Sequence, residues 1–218
     1  MKEKIYFFGN WKMYLDYQES VDLAKDLAKE KFAESICMAV FPSALAAQSV
    51  CDILKDSEIA VGAQNVFWLE KGGYTGEVSA DMFKDVGCKY ALVGHSERRH
   101  VFHETNHEVR QKMERIVAAG LTPVLCVGET LEERKEGQTQ EVIEAQLRAA
   151  LTDLSLDKNE LIVAYEPVWA IGTGEACDPD EAEKMAENIK KIVQALVGKT
   201  DLIILYGGSV RPENARQY

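Results

Sequence analysis

The sequence lacks any pairing pattern among its cysteines. The 218 residues contain five cysteines, with no C-x-x-C pair among them. An odd, dispersed set argues against a disulfide framework or a zinc ribbon and favours a reducing compartment. We therefore expect a cytoplasmic protein, in which Cys126 packs as a small buried hydrophobe within an apolar run.

Long apolar runs and an excess of positive charge are also missing. No apolar run approaches the roughly eighteen residues that predict a membrane span, and the N-terminus lacks the apolar core of a signal peptide. Lysine and arginine total 25 against 36 aspartates and glutamates, which makes the net charge −11. A nucleic-acid-binding domain would instead carry a basic patch. We expect neither a membrane nor a nucleic-acid partner, and an anionic ligand would need local cations and backbone amides.

What the sequence does contain is a regular alternation of strand-like and helix-like segments. Such a chain of 218 residues is typical of one domain with a sizeable core. Apolar strands separated by helices predict a parallel sheet that is covered by helices. The predicted strands are Ile5–Phe8, Cys37–Phe41, Ile59–Gly62, Tyr90–Val93, Leu121–Val127, Leu161–Ala164 and Leu202–Leu205.

Two α/β folds fit seven such units: an open, doubly wound sheet and a (β/α)8 barrel. Polar and charged residues follow many of the predicted strands, as expected for a barrel whose site lies at the C-terminal face of its strands. No G-x-G-x-x-G follows the first strand, which argues against a dinucleotide-binding sheet. The pattern therefore favours the barrel.

Glu166 stands where an apolar strand meets an apolar loop. Pro167 removes a backbone donor and ends the strand. The loop Val168–Ile171 is apolar, which suits a segment that folds over a ligand, and the glycines after it allow backbone N–H groups to approach that ligand. These features predict a base beneath a lid. The alternative is a salt-bridged glutamate followed by an ordinary turn.

Two further polar groups follow other strands. Lys12 comes after the first strand and could offer a cation to an anionic substrate; alternatively, it is a surface lysine. His95 precedes Ser96 and Glu97, which look like the start of a short helix, and a helix N-terminus disfavours the cationic form of an imidazole. A neutral His95 could donate a hydrogen bond to a carbonyl. The alternative is a core histidine satisfied by the backbone.

Taken together, these segments resemble the triosephosphate isomerase family over the whole chain. The lid and histidine motifs are each long enough to be specific, whereas the lysine motif alone is not. The matching segments are Asn10–Lys12, Gly73–Val78, Gly94–Arg98, Cys126–Glu133, Glu166 with its lid, and Tyr206–Val210. The resemblance implies a (β/α)8 barrel that interconverts dihydroxyacetone phosphate and glyceraldehyde 3-phosphate, a step of glycolysis and gluconeogenesis.

The resemblance also implies roles for individual residues. Glu166 would move a proton between adjacent carbons, and His95 would polarise the carbonyl, with Glu97 as its supporting partner. Lys12 and Asn10 would bind substrate and stabilise the charge of an enediolate. No metal or organic cofactor is implied. Phosphate-binding amides are expected from Gly172, Gly207, Gly208 and Ser209.

Members of this family usually form homodimers through the third βα loop. Here that loop is Gln64–Ser79, with Thr75 near its tip, and its length and glycines suit an arm that reaches a second copy. A solvated hairpin is the alternative. Two other functions stay open: an inactive scaffold or binding protein derived from the isomerase, and another phosphate-binding barrel isomerase.

The segment His103–His107 matches H-E-x-x-H, the zinc protease signature. That chemistry needs both histidines on one face of a continuous helix. Thr105 and Glu108 instead predict a capping box that starts a helix between the two histidines. We therefore do not expect a zinc site.

The last predicted strand lies close to Tyr218. Barrels of this type typically need about 250 residues, and an eighth strand and helix are missing from the sequence as it stands. We therefore expect a single domain over residues 1–218 that is a C-terminally truncated barrel of seven βα units. Its first and seventh strands would keep unpaired edges, and we expect poor isomerase activity from it.

Overall fold

A computed structural model describes residues 4–156, 160–171, 177–198 and 201–218. Within these residues, seven parallel strands follow one another in the sheet in the order of the chain, and helices alternate with them. The strands are β1 (Ile5–Asn10), β2 (Ile36–Phe41), β3 (Ile59–Ala63), β4 (Tyr90–Val93), β5 (Thr122–Val127), β6 (Ile162–Tyr165) and β7 (Ile203–Tyr206). The helices are α1 (Tyr17–Leu27), α2 (Ala47–Leu54), α3 (Ala80–Asp85), α4 (Ser96–His100), α5 (Asn106–Ala118), α6 (Leu131–Lys135), α7 (Thr139–Leu151) and α8 (Pro179–Val197).

The chain divides into two compact units. The first unit comprises Met1–Leu92 and Arg115–Pro123, and the second comprises Val93–Glu114 and Val124–Tyr218. The first unit contains β1 to β3, and the second contains β6, β7 and the residues that follow β4 and β5.

In the first unit, β1 pairs with β2 along its whole length, from Ile5 opposite Ile36 to Asn10 opposite Phe41. Phe41 packs against Phe8, with ring centroids 5.7 Å apart. The Phe41 ring also covers Gly62 so closely that a Cβ there would lie 2.3 Å from a ring carbon. A glycine at this position in β3 therefore lets a large aromatic side chain fill the core.

In the second unit, the register aligns the ends of three strands. Val127 of β5 lies opposite Tyr165 of β6, and Tyr165 lies opposite Tyr206 of β7. The residues that follow these three positions, Gly128, Glu166 and Gly207, consequently lie side by side. This alignment places Glu166 between two glycines.

The predicted strands are all present, with ends that agree to within two residues. A short helix, α6, forms in the charged segment after β5. The Thr130 hydroxyl accepts a hydrogen bond from the Glu133 N–H, and the Glu133 carboxylate accepts one from the Thr130 N–H. This capping box stabilises a helix of only five residues that buries no side chain completely.

Helix α5 begins at Asn106, as the capping box predicts. Thr105 Oγ1 accepts a hydrogen bond from the Glu108 N–H, and the Glu108 carboxylate accepts one from the Thr105 N–H. His103 lies outside the helix, in the left-handed backbone region with φ of 58°. The two histidines of the H-E-x-x-H match therefore do not share a helix face.

All five cysteines are free thiols, and Cys126 is buried as expected. In the part of the chain that the structure describes, no helix is both long and apolar enough to cross a membrane.

Candidate active site

Glu166 follows the last residue of β6 and is buried, with 5% of its surface exposed. Its Oε2 accepts a hydrogen bond of 2.9 Å from the backbone N–H of Ser96. Its Oε1 lies 3.4 Å from Nε2 of His95. Glu166 and His95, 71 positions apart in the numbering, thus face one another at the ends of two strands, as the sequence suggested.

Glycines on either side leave room for Glu166. A Cβ on Gly128 would lie 1.8 Å from the Glu166 carbonyl oxygen, and a Cβ on Gly207 would lie 2.8 Å from Glu166 Cγ. Side chains essentially never approach so closely, so any larger residue at 128 or 207 would displace Glu166. The position of this carboxylate therefore depends on two glycines from the neighbouring strand ends.

His95 is the N-cap residue of α4, and its imidazole caps the helix. Nδ1 accepts a hydrogen bond of 3.2 Å from the Glu97 N–H. Accepting this bond requires a lone pair on Nδ1, so the ring is neutral and carries its proton on Nε2, the nitrogen that faces Glu166. The Glu97 carboxylate is half-exposed, with Oε2 3.8 Å from Nδ1.

The turn before His95 is braced by Arg99, which sequence reasoning did not single out. Gly94 adopts φ of +71°, and its carbonyl accepts a hydrogen bond of 2.7 Å from Arg99 Nε. Arg99 Nη1 donates to the Asn106 side chain at 2.6 Å, which links this turn to the start of α5. Burial lowers the pKa of Arg99. In the sequence, Arg99 is only one of two adjacent arginines, and nothing in the pattern indicates that it supports the turn.

Cys126 lies beneath the site. Burial raises the pKa of its thiol well above the ordinary value, and the charge of Glu166 raises it further. The thiol therefore stays protonated and behaves as the small hydrophobe that the sequence predicted.

The residues after Glu166 are anchored on Glu129, a fully buried carboxylate. Trp169 Nε1 donates to Glu129 Oε1 at 2.8 Å, and the Tyr165 hydroxyl donates at 3.2 Å. Burial and the neighbouring Glu129 charge raise the pKa of Tyr165. Arg134 stacks over the Trp169 ring, 4.3 Å from its centroid. The first residues of the expected lid, which form a short 3₁₀ helix, are thus held by specific contacts.

Lys12 lies in the first unit, immediately after β1. Its backbone adopts φ of 50°, a left-handed conformation that is uncommon for a lysine. Asn10 Oδ1 accepts a hydrogen bond of 2.9 Å from the Lys12 N–H, and Gln64 Nε2 donates to the Lys12 carbonyl at 2.8 Å. Asn10 and Gln64 together hold this strained residue, and backbone strain of this kind clusters at functional sites.

The remaining predicted phosphate-binding residues follow β7. The Gly207 N–H donates to the Tyr165 carbonyl at 2.7 Å, and Ser209 Oγ donates to the Ala170 carbonyl at 2.6 Å. Gly208 packs against the Tyr206 hydroxyl, where a Cβ would lie only 2.1 Å away. Gly172 lies outside the described residues.

The alternating strands and helices, with Glu166 and His95 facing one another at strand ends, are typical of a barrel-type α/β enzyme. Residues 5–218 match the profile of the triosephosphate isomerase family. The chain belongs to this family. The described residues form seven strands with alternating helices and contain no eighth unit; they are consistent with the family's (β/α)8 barrel, and the predicted fold class is confirmed.

Curated relatives agree with this assignment. The triosephosphate isomerase of Chloroherpeton thalassium is 41% identical over 98% of this chain and 87% of its own length. That of Carboxydothermus hydrogenoformans is 42% identical over the same shares. The enzyme of Legionella pneumophila is 43% identical over 99% of this chain and 88% of its own length.

Proposed function

We propose that this protein is a triose-phosphate isomerase, which interconverts dihydroxyacetone phosphate and D-glyceraldehyde 3-phosphate in glycolysis and gluconeogenesis. The observation that carries the proposal is a buried Glu166 carboxylate facing the Nε2–H of a neutral His95, in a chain that matches the family from residue 5 to residue 218. A carboxylate base opposite a neutral histidine is the established arrangement in this family.

Glu166 is the proposed base. The reaction removes a proton from the carbon next to a carbonyl and returns it to the adjacent carbon. Glu166 suits this task because its partners, a backbone N–H and a neutral imidazole, leave a carboxylate that can accept a proton. The hydrogen bond from Ser96 would be exchanged for contact with the substrate.

His95 and Lys12 are the proposed electrophiles. Removing the proton places negative charge on the carbonyl oxygen, and preorganised donors stabilise that charge. His95 can donate from Nε2 without becoming a cation, and Glu97 contributes the N–H that fixes its tautomer. By family resemblance, Lys12 supplies a positive charge for the enediolate, and Asn10 both binds substrate and holds the Lys12 backbone.

The phosphate is the proposed partner of the backbone amides of Gly172, Gly208 and Ser209. The Gly207 N–H donates to the Tyr165 carbonyl, so Gly207 is proposed to shape the site beside them. The enediolate would lose its phosphate in water, so a closing lid protects the intermediate and strengthens the electrostatic interactions around it. The anchoring of Trp169 on Glu129 supports a lid that is hinged at a defined point.

A coupled assay with glyceraldehyde 3-phosphate tests this proposal. An inactive scaffold would show no turnover, and another sugar-phosphate isomerase would turn over only a different substrate. The observed His95–Glu166 pair favours neither alternative. Turnover that is lost in Glu166→Gln supports the proposal, and a wild-type protein without turnover would overturn it.

We further propose a homodimer formed through the Gln64–Ser79 loop. The loop folds on itself through contact of the tilted rings of Phe67 and Tyr74, whose centroids are 4.6 Å apart, and it leaves Thr75 exposed. In the same unit, Met13 and Leu45 expose 95% and 87% of their surface. Contiguous exposed apolar patches mark protein interfaces, and we infer that Met13 and Leu45 contribute to one. The expected partner is a second copy of this chain.

Sedimentation analysis of wild type and Thr75→Arg tests the dimer, with wild type sedimenting as a dimer and the variant as a monomer. A monomeric wild type would contradict it.

A cytoplasmic location is proposed on the five free thiols, which a reducing compartment would maintain.

We propose that residues 1–218 form one domain, because the boundaries between the two units fall within β4, α5 and β5.

A further inference from the structure

Gln146 is a buried amide on the otherwise apolar face of α7. Ile143, Leu147 and Ala150 share this face, and all four side chains are buried. A buried amide costs free energy unless its donor and acceptor are both satisfied. Its presence among aliphatic neighbours therefore calls for a specific partner.

The partner of Gln146 is the backbone of Gly128, directly after β5. Gln146 Oε1 accepts a hydrogen bond of 2.9 Å from the Gly128 N–H, and Gln146 Nε2 donates one of 3.0 Å to the Gly128 carbonyl. One side chain thus satisfies both polar groups of one residue, as a neighbouring strand would do. This reciprocal pair fixes the height and the tilt of the Gly128 peptide groups.

The backbone of Gly128 in turn packs directly against the backbone of Glu166. A Cβ at Gly128 would overlap the Glu166 carbonyl oxygen at 1.8 Å, so the two backbones are in close contact. On either side, the Glu166 N–H donates to the Val127 carbonyl at 2.8 Å and the Val168 N–H donates to the Glu129 carbonyl at 3.0 Å. A shift of Gly128 would therefore be transmitted to Glu166.

We propose that Gln146 is a positioning residue for Glu166 and acts on it through the Gly128 backbone. The inference rests on the proposed function, in which Glu166 is the base. Gln146 makes no contact with the carboxylate of Glu166; it sets the place from which that carboxylate reaches the substrate. A misplacement of a catalytic group by about 1 Å can cost about 10²-fold in rate. A residue that contacts Glu166 only through Gly128 can therefore affect the rate.

Gln146→Met tests the proposal because it keeps the length and burial of the side chain and removes both hydrogen bonds. We expect kcat to fall at least about tenfold while KM changes less than about twofold, since the chemical step and not substrate binding is affected. Gln140→Met is the matched control: it lies on the exposed face of the same helix and should leave both constants unchanged.

Gln146→Glu supplies the conservative rescue. A protonated carboxyl group can accept from the Gly128 N–H and donate to its carbonyl, whereas the ionised form can only accept. The kcat of Gln146→Glu relative to wild type should therefore rise as the pH falls, and that of Gln146→Met should not. If Gln146→Met does not fold, the pH dependence of Gln146→Glu carries the test.

Amide hydrogen exchange provides a readout that is independent of activity. The amides of Glu166 and Val168 should exchange at least about tenfold faster in Gln146→Met than in Gln140→Met. Unchanged exchange at both amides, or an unchanged kcat in an active protein, would overturn the role of Gln146. If the wild-type protein is inactive but the two variants show the expected difference in exchange, the proposed function is overturned and the structural coupling between Gln146 and Glu166 is retained.

Discussion

Two buried glutamates in the second unit, Glu166 and Glu104, have opposite surroundings. Glu104 Oε2 accepts from Arg98 Nε at 2.5 Å and from the Lys112 ammonium group. Glu166 is as deeply buried, but its carboxylate contacts a backbone N–H and a neutral imidazole. The first carboxylate is paired with two cations, whereas the second accepts a bond from an N–H and faces an imidazole.

The difference shows how burial alone fails to identify a catalytic carboxylate. Burial opposes the ionisation of Glu104, yet Lys112 and Arg98 outweigh it and hold the pKa of that carboxyl below its usual value. Such a group is a poor base but a strong cross-link, here between the segment after α4 and helix α5. We therefore expect substitutions of Glu166 to remove activity and substitutions of Glu104 to remove stability.

The largest expected effect is that of Glu166→Gln, which keeps the shape of the side chain and removes its basicity. General-base catalysis typically contributes about 10²–10⁴-fold, so kcat should fall at least that far. Thermal unfolding followed by circular dichroism should change little. A variant that keeps more than half of the wild-type kcat would show that Glu166 is not the base.

Glu104→Gln should show the reverse. Removing one partner of a buried ion pair leaves an uncompensated charge and typically costs about 3–5 kcal/mol. We expect the free energy of unfolding, measured by urea titration, to fall by that amount while kcat per folded molecule stays close to wild type. A large loss of kcat in fully folded protein would mean that Glu104 also serves the reaction.

The two lysines Lys12 and Lys112 extend the comparison to cations. Lys12→Met should weaken binding of a phosphorylated enediolate analogue by about 10–100-fold, since a charge-assisted hydrogen bond is worth about 1.5–3 kcal/mol. Lys112→Met should instead lower stability and leave analogue affinity in the folded protein unchanged. Calorimetric titration of both variants separates the two roles; equal affinity in Lys12→Met and wild type would make Lys12 a surface lysine.

The smallest expected effect is on acid stability. Because the pKa of Glu104 is lower in the folded state, its contribution is present above the unfolded pKa of about 4.3 and is lost as the pH falls through the folded value. The melting temperature of wild type should consequently approach that of Glu104→Gln as the pH falls below about 4. If the difference in melting temperature between wild type and Glu104→Gln stays constant from neutral to acidic pH, this linkage is contradicted.

Several features were predictable from the sequence because they depend on neighbouring residues. Apolar β-branched runs predicted the strands, and the residues that end them placed Glu166, His95 and Lys12 at strand ends. The capping box of Thr105 and Glu108 correctly predicted the start of α5. The same type of capping box, at Thr130 and Glu133, is encoded in the charged segment that forms α6.

Other features depend on contacts between residues that are far apart in the chain. Gln146 gave only a weak signal, a polar residue at helical spacing among aliphatic ones, and nothing in the sequence connected it with Gly128. Glu104 lay within a motif suggestive of zinc, and only the fold surrounds it with Arg98 and Lys112.

The sequence by itself determined the alternation of strands and helices and the identity of the chemical groups, because periodicity, caps and strand ends are encoded within a few residues. Only the tertiary structure decided which buried glutamate is paired with cations, Glu104, and which faces an imidazole, Glu166. The strand register places Gly128, Glu166 and Gly207 side by side, and the neutral tautomer of His95 follows from one backbone N–H. Register and hydrogen-bond partners arise from packing, which brings together groups that are separated by tens of residues.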